Sequence, residues 1–202
     1  MMPSDSVYKA PEEWWLPYSN PTFMCSAYDN MHASWSSTHE STWNVVKNNH
    51  FVSGQFVWTG WDYLGEPTPY GFPARSSYFG IIDLAGFPKD IYYMYQSEWT
   101  QKLVLHLFPH WNWLPGQQID MWCYFNHADA VELFVNGKSQ GLKQKKPNEF
   151  HVKWRVNYEP GSVKVVAYEH GKAVREEEIH TAGAPDRIRL TVEHSICKPG
   201  GL

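Results

Sequence analysis

Through the second half of the chain, apolar and polar residues alternate with a period of two. Ile119, Met121, Cys123 and Phe125 take one side of a strand and Asp120, Trp122 and Tyr124 the other. Phe150, Val152, Trp154 and Val156 alternate with His151, Lys153 and Arg155, and Val163, Val165 and Ala167 follow Pro160-Gly161. Successive side chains of a strand point to opposite faces, so this period predicts strands with one buried face. Asn136-Gly137, between VELFV and KSQGL, predicts a two-residue hairpin, because both central positions of such a turn require the positive φ that Asn and Gly tolerate. Short strands at this spacing, uninterrupted by a helical pattern, predict an all-β immunoglobulin-like sandwich over residues 101–181.

The first hundred residues follow a different pattern. Ser37 and Glu40 have the S-x-x-E spacing of a capping box and predict a helix running through Trp43, Val46 and Lys47 to about Asn49. A short apolar run, Phe56 to Trp58, is bounded by glycines and predicts a buried parallel strand. Residues 65–87 are a Gly/Pro-rich loop. PKDIYYMYQSEW then predicts a second helix with Pro88 just inside its start. Helix, buried strand, long loop and helix make an α/β order. Residues 1–30 have little periodicity and read as a loop. AGAPD at 182–186 reads as a linker, and Ile188, Leu190 and Val192 as the first strand of a further β domain cut short, so 182–202 form a third unit.

Composition narrows the function. The 202 residues are 43% hydrophobic and 19% charged, which is globular, and no apolar run reaches the ~18 residues of a membrane span. A net charge of −4 with scattered Lys and Arg lacks the electrostatic footprint of a nucleic-acid binder. Lys143, Lys145 and Lys146 beside Pro147 read as a solvated turn. Cys25, Cys123 and Cys197 are odd in number and far apart, which favours neither a disulfide framework nor a zinc site. Cys123 falls on the apolar side of its strand and reads as core. His106 and His110 share no helical face, and His39-Glu40 lacks the second His of a zinc protease motif, so no metal or cofactor is expected. Neither a basic leader nor an apolar signal core is readable at the start, which leaves the compartment unassigned and a periplasmic or exported parent compatible with the sequence. The aromatic content, 16% with 11 Trp, points toward carbohydrate, because the C–H faces of sugar rings lie well on indole.

The motifs FVWTGWDYLGEP, RSSYFGIIDLAGFPKD, YYMYQSEW, LHLFPHWNW and VELFVNGKSQG occur in that order. Together they resemble the C-terminal half of bacterial β-galactosidases of glycoside hydrolase family 2, over roughly residues 5–193. The resemblance implies that residues 1–100 are the last part of a (β/α)8 catalytic barrel, with Gln55 to Trp58 as the eighth strand and Pro88 to Trp99 as the last helix. It makes Gln101 to Ile179 the first sandwich after the barrel. One strand cannot close a barrel, so an upstream part of the barrel is expected as a partner.

Retaining glycosidases use two carboxyl groups about 5–5.5 Å apart. The family pattern places both upstream of Met1. Of the carboxylates present, Glu12, Glu13, Glu40, Asp62, Glu66, Asp83, Asp90 and Glu98, none matches the motif of either catalytic glutamate. The isolated chain is therefore expected to have no catalytic residue and no activity. By resemblance Trp58 lines the galactose pocket, with a barrel-core tryptophan as the alternative; Trp61 and Asp62 on the same edge are further candidate substrate-binding residues that could meet sugar faces and hydroxyls, with a structural role as the equal alternative. Glu66, among Gly65, Pro67 and Pro69, reads as turn packing. The His110, Trp111, Asn112 and Trp113 cluster reads first as packing between domains, with a lean toward the barrel mouth as the alternative. The expected ligand is a β-galactoside or related oligosaccharide. β-Glucuronidases and β-mannosidases share the architecture, and a non-catalytic carbohydrate-binding or spacer sandwich is the alternative function.

Overall fold

The computed structural model describes residues 28, 29, 32, 35–67, 72–188 and 191. Glu12, Glu13, Cys25, Pro69, Cys197 and the expected strand residues Leu190 and Val192 lie outside them, as does almost all of the 1–30 loop.

Seven antiparallel strands form the second half: β1 (Leu105–Phe108), β2 (Gln118–Phe125), β3 (Ala130–Val135), β4 (Lys138–Lys143), β5 (His151–Asn157), β6 (Ser162–Glu169) and β7 (Lys172–His180). They divide into a three-stranded sheet ordered β1-β2-β5 and a four-stranded sheet ordered β4-β3-β6-β7. The predicted hairpin is present between β3 and β4, with Asn136 at φ 48° and Gly137 at φ 77°. Between the sheets lie Leu107, Ile119, Met121, Cys123, Val131, Leu133, Val152, Trp154, Val163 and Val165, all buried. The alternating pattern therefore placed the core of the sandwich correctly, because one face of each inner strand has no other apolar surface to meet.

The HWNW cluster is bonded into this sandwich. Trp111 is wholly buried and donates Nε1–H to Glu159 O at 3.1 Å, and Trp113 donates to His110 O at 2.7 Å. The Asn112 carboxamide accepts from Ala182 N. These bonds close one end of the sandwich. Lys145 is only partly exposed, unlike Lys143 and Lys146. Its Nζ donates to Phe125 O at 2.7 Å and lies 4.7 Å from the Phe125 ring centroid, and burial pushes its pKa down.

Among the described residues two helices precede the sandwich, α1 (His39–Asn48) and α2 (Asp90–Trp99). They begin later than predicted. The N-cap of α1 is Thr38, whose Oγ1 accepts from Ser41 N, so Glu40 falls one position short of the site a capping box needs. The other orphan donors are met by Asp29, whose carboxylate accepts from His39 N at 2.9 Å and Glu40 N at 2.6 Å. Pro88 precedes the α2 N-cap, Lys89, because the chain there still pairs with the 81–82 segment: Lys89 N donates to Ile81 O.

α2 packs on the outer face of the three-stranded sheet, and this explains a departure from strict alternation in β2. Trp122 and Tyr124, on the side expected to be solvated, are buried. Glu40 joins the two parts by accepting from Tyr124 Oη–H at 3.1 Å and pairing with His151 Nδ1 at 2.7 Å, while the His151 ring stacks on Trp122 at 3.7 Å. On the other edge His106 Nε2 lies 2.8 Å from Asp90 Oδ1 and stacks on Tyr93 at 3.8 Å.

Residues 55–58 carry no strand. A parallel strand takes its hydrogen bonds from neighbours on both sides, and no parallel neighbour lies beside this run among the described residues. The expected eighth strand of the barrel fragment is thus not formed among the described residues. Residues 182–188 are irregular, and Ile188 is exposed. No helix is long and apolar enough to cross a membrane among the described residues.

Candidate functional site

The segment 59–65 runs beside 75–82 and is fastened to it by an irregular ladder. Thr59 N donates to Phe79 O, Ile81 N to Thr59 O, Ile82 N to Gly60 O, Asp62 N to Ile82 O, Ser77 N to Tyr63 O and Gly65 N to Arg75 O, all at 2.9–3.1 Å. The contact is close because Gly80 has no side chain: a Cβ there would lie 2.1 Å from Asp62 N and 2.3 Å from the Trp61 carbonyl carbon.

On this platform the three expected binding residues have different situations. Trp58 is 72% exposed and Trp61 62% exposed, so each ring offers a face for contact. Trp58 donates Nε1–H to Tyr63 Oη at 3.3 Å, and Tyr63 in turn donates to Glu66 Oε2 at 2.7 Å, so Glu66 anchors the aromatic pair in addition to sitting in a turn. The peptide between Trp58 and Thr59 is cis. Asp62 is only 8% exposed, and its Oδ1 accepts from Gly80 N and Lys89 Nζ, both at 2.8 Å. Of the two roles expected for Asp62, these contacts supply the structural one, inside the loop. A carboxylate that deep needs the cation and the N–H to offset its lost hydration. Sequence spacing had no means of showing Lys89 as its partner, since the two are joined only by the fold.

A second polar group lies behind the platform. His39 Nδ1 is 2.9 Å from Tyr95 Oη, and Gln55 Nε2 donates to the same oxygen at 3.1 Å. Burial pushes the Asp29 carboxyl up to about 7 despite its two N–H donors, and pushes the His39 imidazole down to about 4, with the Lys89 charge acting in the same direction. The stability contributed by protonated Asp29 is full below its unfolded value of 3.8 and is lost as pH rises through about 7. That contributed by neutral His39 is full above 6.5 and is lost as pH falls through about 4. Between those limits the two slopes oppose each other. His39→Gln should leave the Asp29 slope uncompensated, so that its urea midpoint falls relative to the parent as pH rises from about 4.5 to about 6.5. Parallel pH profiles for variant and parent would contradict the assignment.

Comparisons with known proteins cover both halves of the chain. A family described as a domain of unknown function (DUF4982) matches residues 116–175, inside the sandwich. Beta-galactosidase BoGH2A of Bacteroides ovatus is 64% identical over 200 residues, 99% of this chain and 24% of that protein. A beta-glucuronidase of Bacteroides fragilis is 27% identical over 144 residues, 70% of this chain and 19% of that protein. Among solved structures, a beta-glycosidase from Bacteroides vulgatus matches 95% of this chain and 24% of its own with a TM-score of 0.77 and 36% identity. A glycosyl hydrolase family 2 member from Bacteroides cellulosilyticus matches 82% of this chain and 26% of its own with a TM-score of 0.65 and 25% identity. The chain spans about a quarter of the length of the first of these relatives.

Proposed function

Since this chain belongs to glycoside hydrolase family 2 and corresponds to a C-terminal portion of its members, we propose that it forms one wall of the sugar pocket in a retaining hydrolase of terminal β-galactosides. Residues 1–100 complete a (β/α)8 barrel whose earlier strands carry both catalytic glutamates, and the sandwich 101–181 follows it. The observation that carries this reading is the pair of exposed indoles, Trp58 and Trp61, held on a framework fixed by the buried Asp62–Lys89 pair. Aromatic faces on a rigid support suit the C–H faces of a sugar ring. The first hundred residues also expose Phe56, Leu64, Leu84 and Phe87. Large apolar side chains left open in this number suit a contact face, and the remainder of the barrel is the partner that would cover them. The identity to a beta-galactosidase over 99% of the chain favours galactose over glucuronate.

The purified chain alone should leave aryl β-galactosides uncleaved, with hydrolysis appearing once the preceding barrel segment is supplied; turnover by the chain alone would overturn the placement of the carboxylates. In the assembled enzyme Trp58→Ala should lower kcat/KM for an aryl β-galactoside roughly ten- to hundred-fold, the equivalent of losing the apolar contact of one large side chain. An unchanged kcat/KM would remove Trp58 from the pocket.

A further inference from the structure

The sandwich carries a second feature that the Trp58 platform does not use. On the outer face of the four-stranded sheet lies a cavity of about 380 Å³ lined by Asp129, Ala130, Glu132, Leu142, Gln144 and Tyr168, among others. The register explains why these residues meet. Glu132 pairs with Leu142 across β3 and β4, and Ala130 pairs with Tyr168 across β3 and β6. Cross-strand partners share a face, and Val131, Leu133, Val163 and Val165 occupy the opposite, core-facing side. Three adjacent strands at about 4.8 Å spacing make a platform about 10 Å wide, the span of one or two sugar rings.

The chemistry of the lining selects the ligand. Tyr168, Leu142 and Ala130 provide an apolar floor, while Asp129, Glu132 and Gln144 provide acceptor oxygens. Both carboxylates are held in place: Glu132 accepts from Tyr168 Oη at 3.2 Å and from Ser139 Oγ, and Asp129 Oδ2 accepts from His170 N at 2.6 Å. An ionised carboxylate has about four acceptor sites, so each retains capacity for further donors. A floor for C–H groups surrounded by fixed acceptors fits a molecule rich in hydroxyl donors. The two carboxylates disfavour an anionic ligand. The nearby Lys143 is directed elsewhere, its Nζ donating to Lys153 O at 2.7 Å and lying over Trp154. His170 stands on the rim, its Nδ1 3.6 Å from Asp129 Oδ2.

We propose that this outer sheet face is a carbohydrate subsite for one or two neutral sugar residues, separate from the pocket at Trp58. It lies within residues 116–175, the stretch matched by the domain of unknown function. It would hold a glycan against the protein through the sandwich, whether or not the barrel reading is correct.

The test is titration of the full chain with lactose and with sodium glucuronate at pH 7.5, followed by amide chemical shifts. Saturable lactose binding in the millimolar range is expected, with shifts confined to β3, β4 and β6 and glucuronate at least ten-fold weaker. Tyr168→Ala should weaken lactose at least ten-fold, and Trp58→Ala should leave these shifts unchanged. Should Tyr168→Ala unfold, Leu142→Ser on the exposed edge and Glu132→Gln serve instead, each expected to weaken lactose at least three-fold. Absence of saturable shifts at this face, equal binding of glucuronate, or undiminished affinity in the folded variants would overturn the proposal. Loss of binding only in Trp58→Ala would overturn it too, while leaving the barrel reading intact.

Discussion

Gly80→Ala should separate the Trp58 platform from the segment that supports it. The added carbon would stand 2.1 Å from Asp62 N, 2.3 Å from the Trp61 carbonyl carbon and 2.6 Å from Ile82 O. All three are backbone atoms, so no rotamer change relieves the clash. The two segments must move apart, breaking the bonds from Asp62 N to Ile82 O and from Gly80 N to Asp62 Oδ1. Overpacking against adaptable neighbours costs about 1–3 kcal/mol, and each lost hydrogen bond adds about 1 kcal/mol, so a local loss of roughly 3–5 kcal/mol is expected. Hydrogen exchange would read it directly: amides of 59–65 and 75–82 should lose protection while those of β2, β3 and β6 keep theirs. On the proposed function, the displaced indoles should lower kcat/KM of the assembled enzyme on the order of a hundred-fold, since misplacement by about 1 Å has that effect. Native protection in the variant would show that the platform tolerates a side chain at this position.

Trp111→Ala should have a comparable effect on the other half of the molecule. The ring is wholly buried, meets Tyr158 edge to face at 5.0 Å and donates to Glu159 O. Its own carbonyl accepts from Thr181 Oγ1, which also reaches Gly161 N and Tyr158 Oη. Removing the indole leaves a cavity between the end of β1 and the exit of β7 and strips Glu159 O of its donor. Buried Trp to Ala typically costs about 3–5 kcal/mol. The chemical denaturation midpoint of the sandwich should fall accordingly, with Trp111→Phe recovering part of the loss by refilling the space without the N–H. A change below about 1 kcal/mol would place this tryptophan outside the cooperative core.

How much of this was legible beforehand differs from element to element. The inner strands β2, β5 and β6 follow from period-two patterning because each has one face for the core and one turned away, and the Asn136-Gly137 turn follows from its φ requirements. The cap of α1 was misread because an S-x-x-E spacing describes only local donors, whereas Asp29, ten residues upstream of His39, reaches in to accept from two of them. Lys145 was misread for a related reason. A lysine in a polar turn normally stays in solvent, but here the Phe125 carbonyl and ring lie within reach of its ammonium group.

The candidate site divides in the same way. The order of motifs brought Trp58, Trp61 and Asp62 forward together, since all three lie within five residues. Their separation into two exposed rings and one buried anchor depended on Gly80 and Lys89, which pack against them only after the chain folds back. The acceptor-lined face at Glu132 and Tyr168 was invisible to any local pattern, because its residues come from three strands and converge through register. The sequence by itself determined the alternation, the hairpin and the family resemblance, which are properties of neighbouring residues and their order. Only the tertiary structure decided which polar groups are buried, what each is paired with and which aromatic faces remain open, because those depend on contacts between segments far apart in the chain.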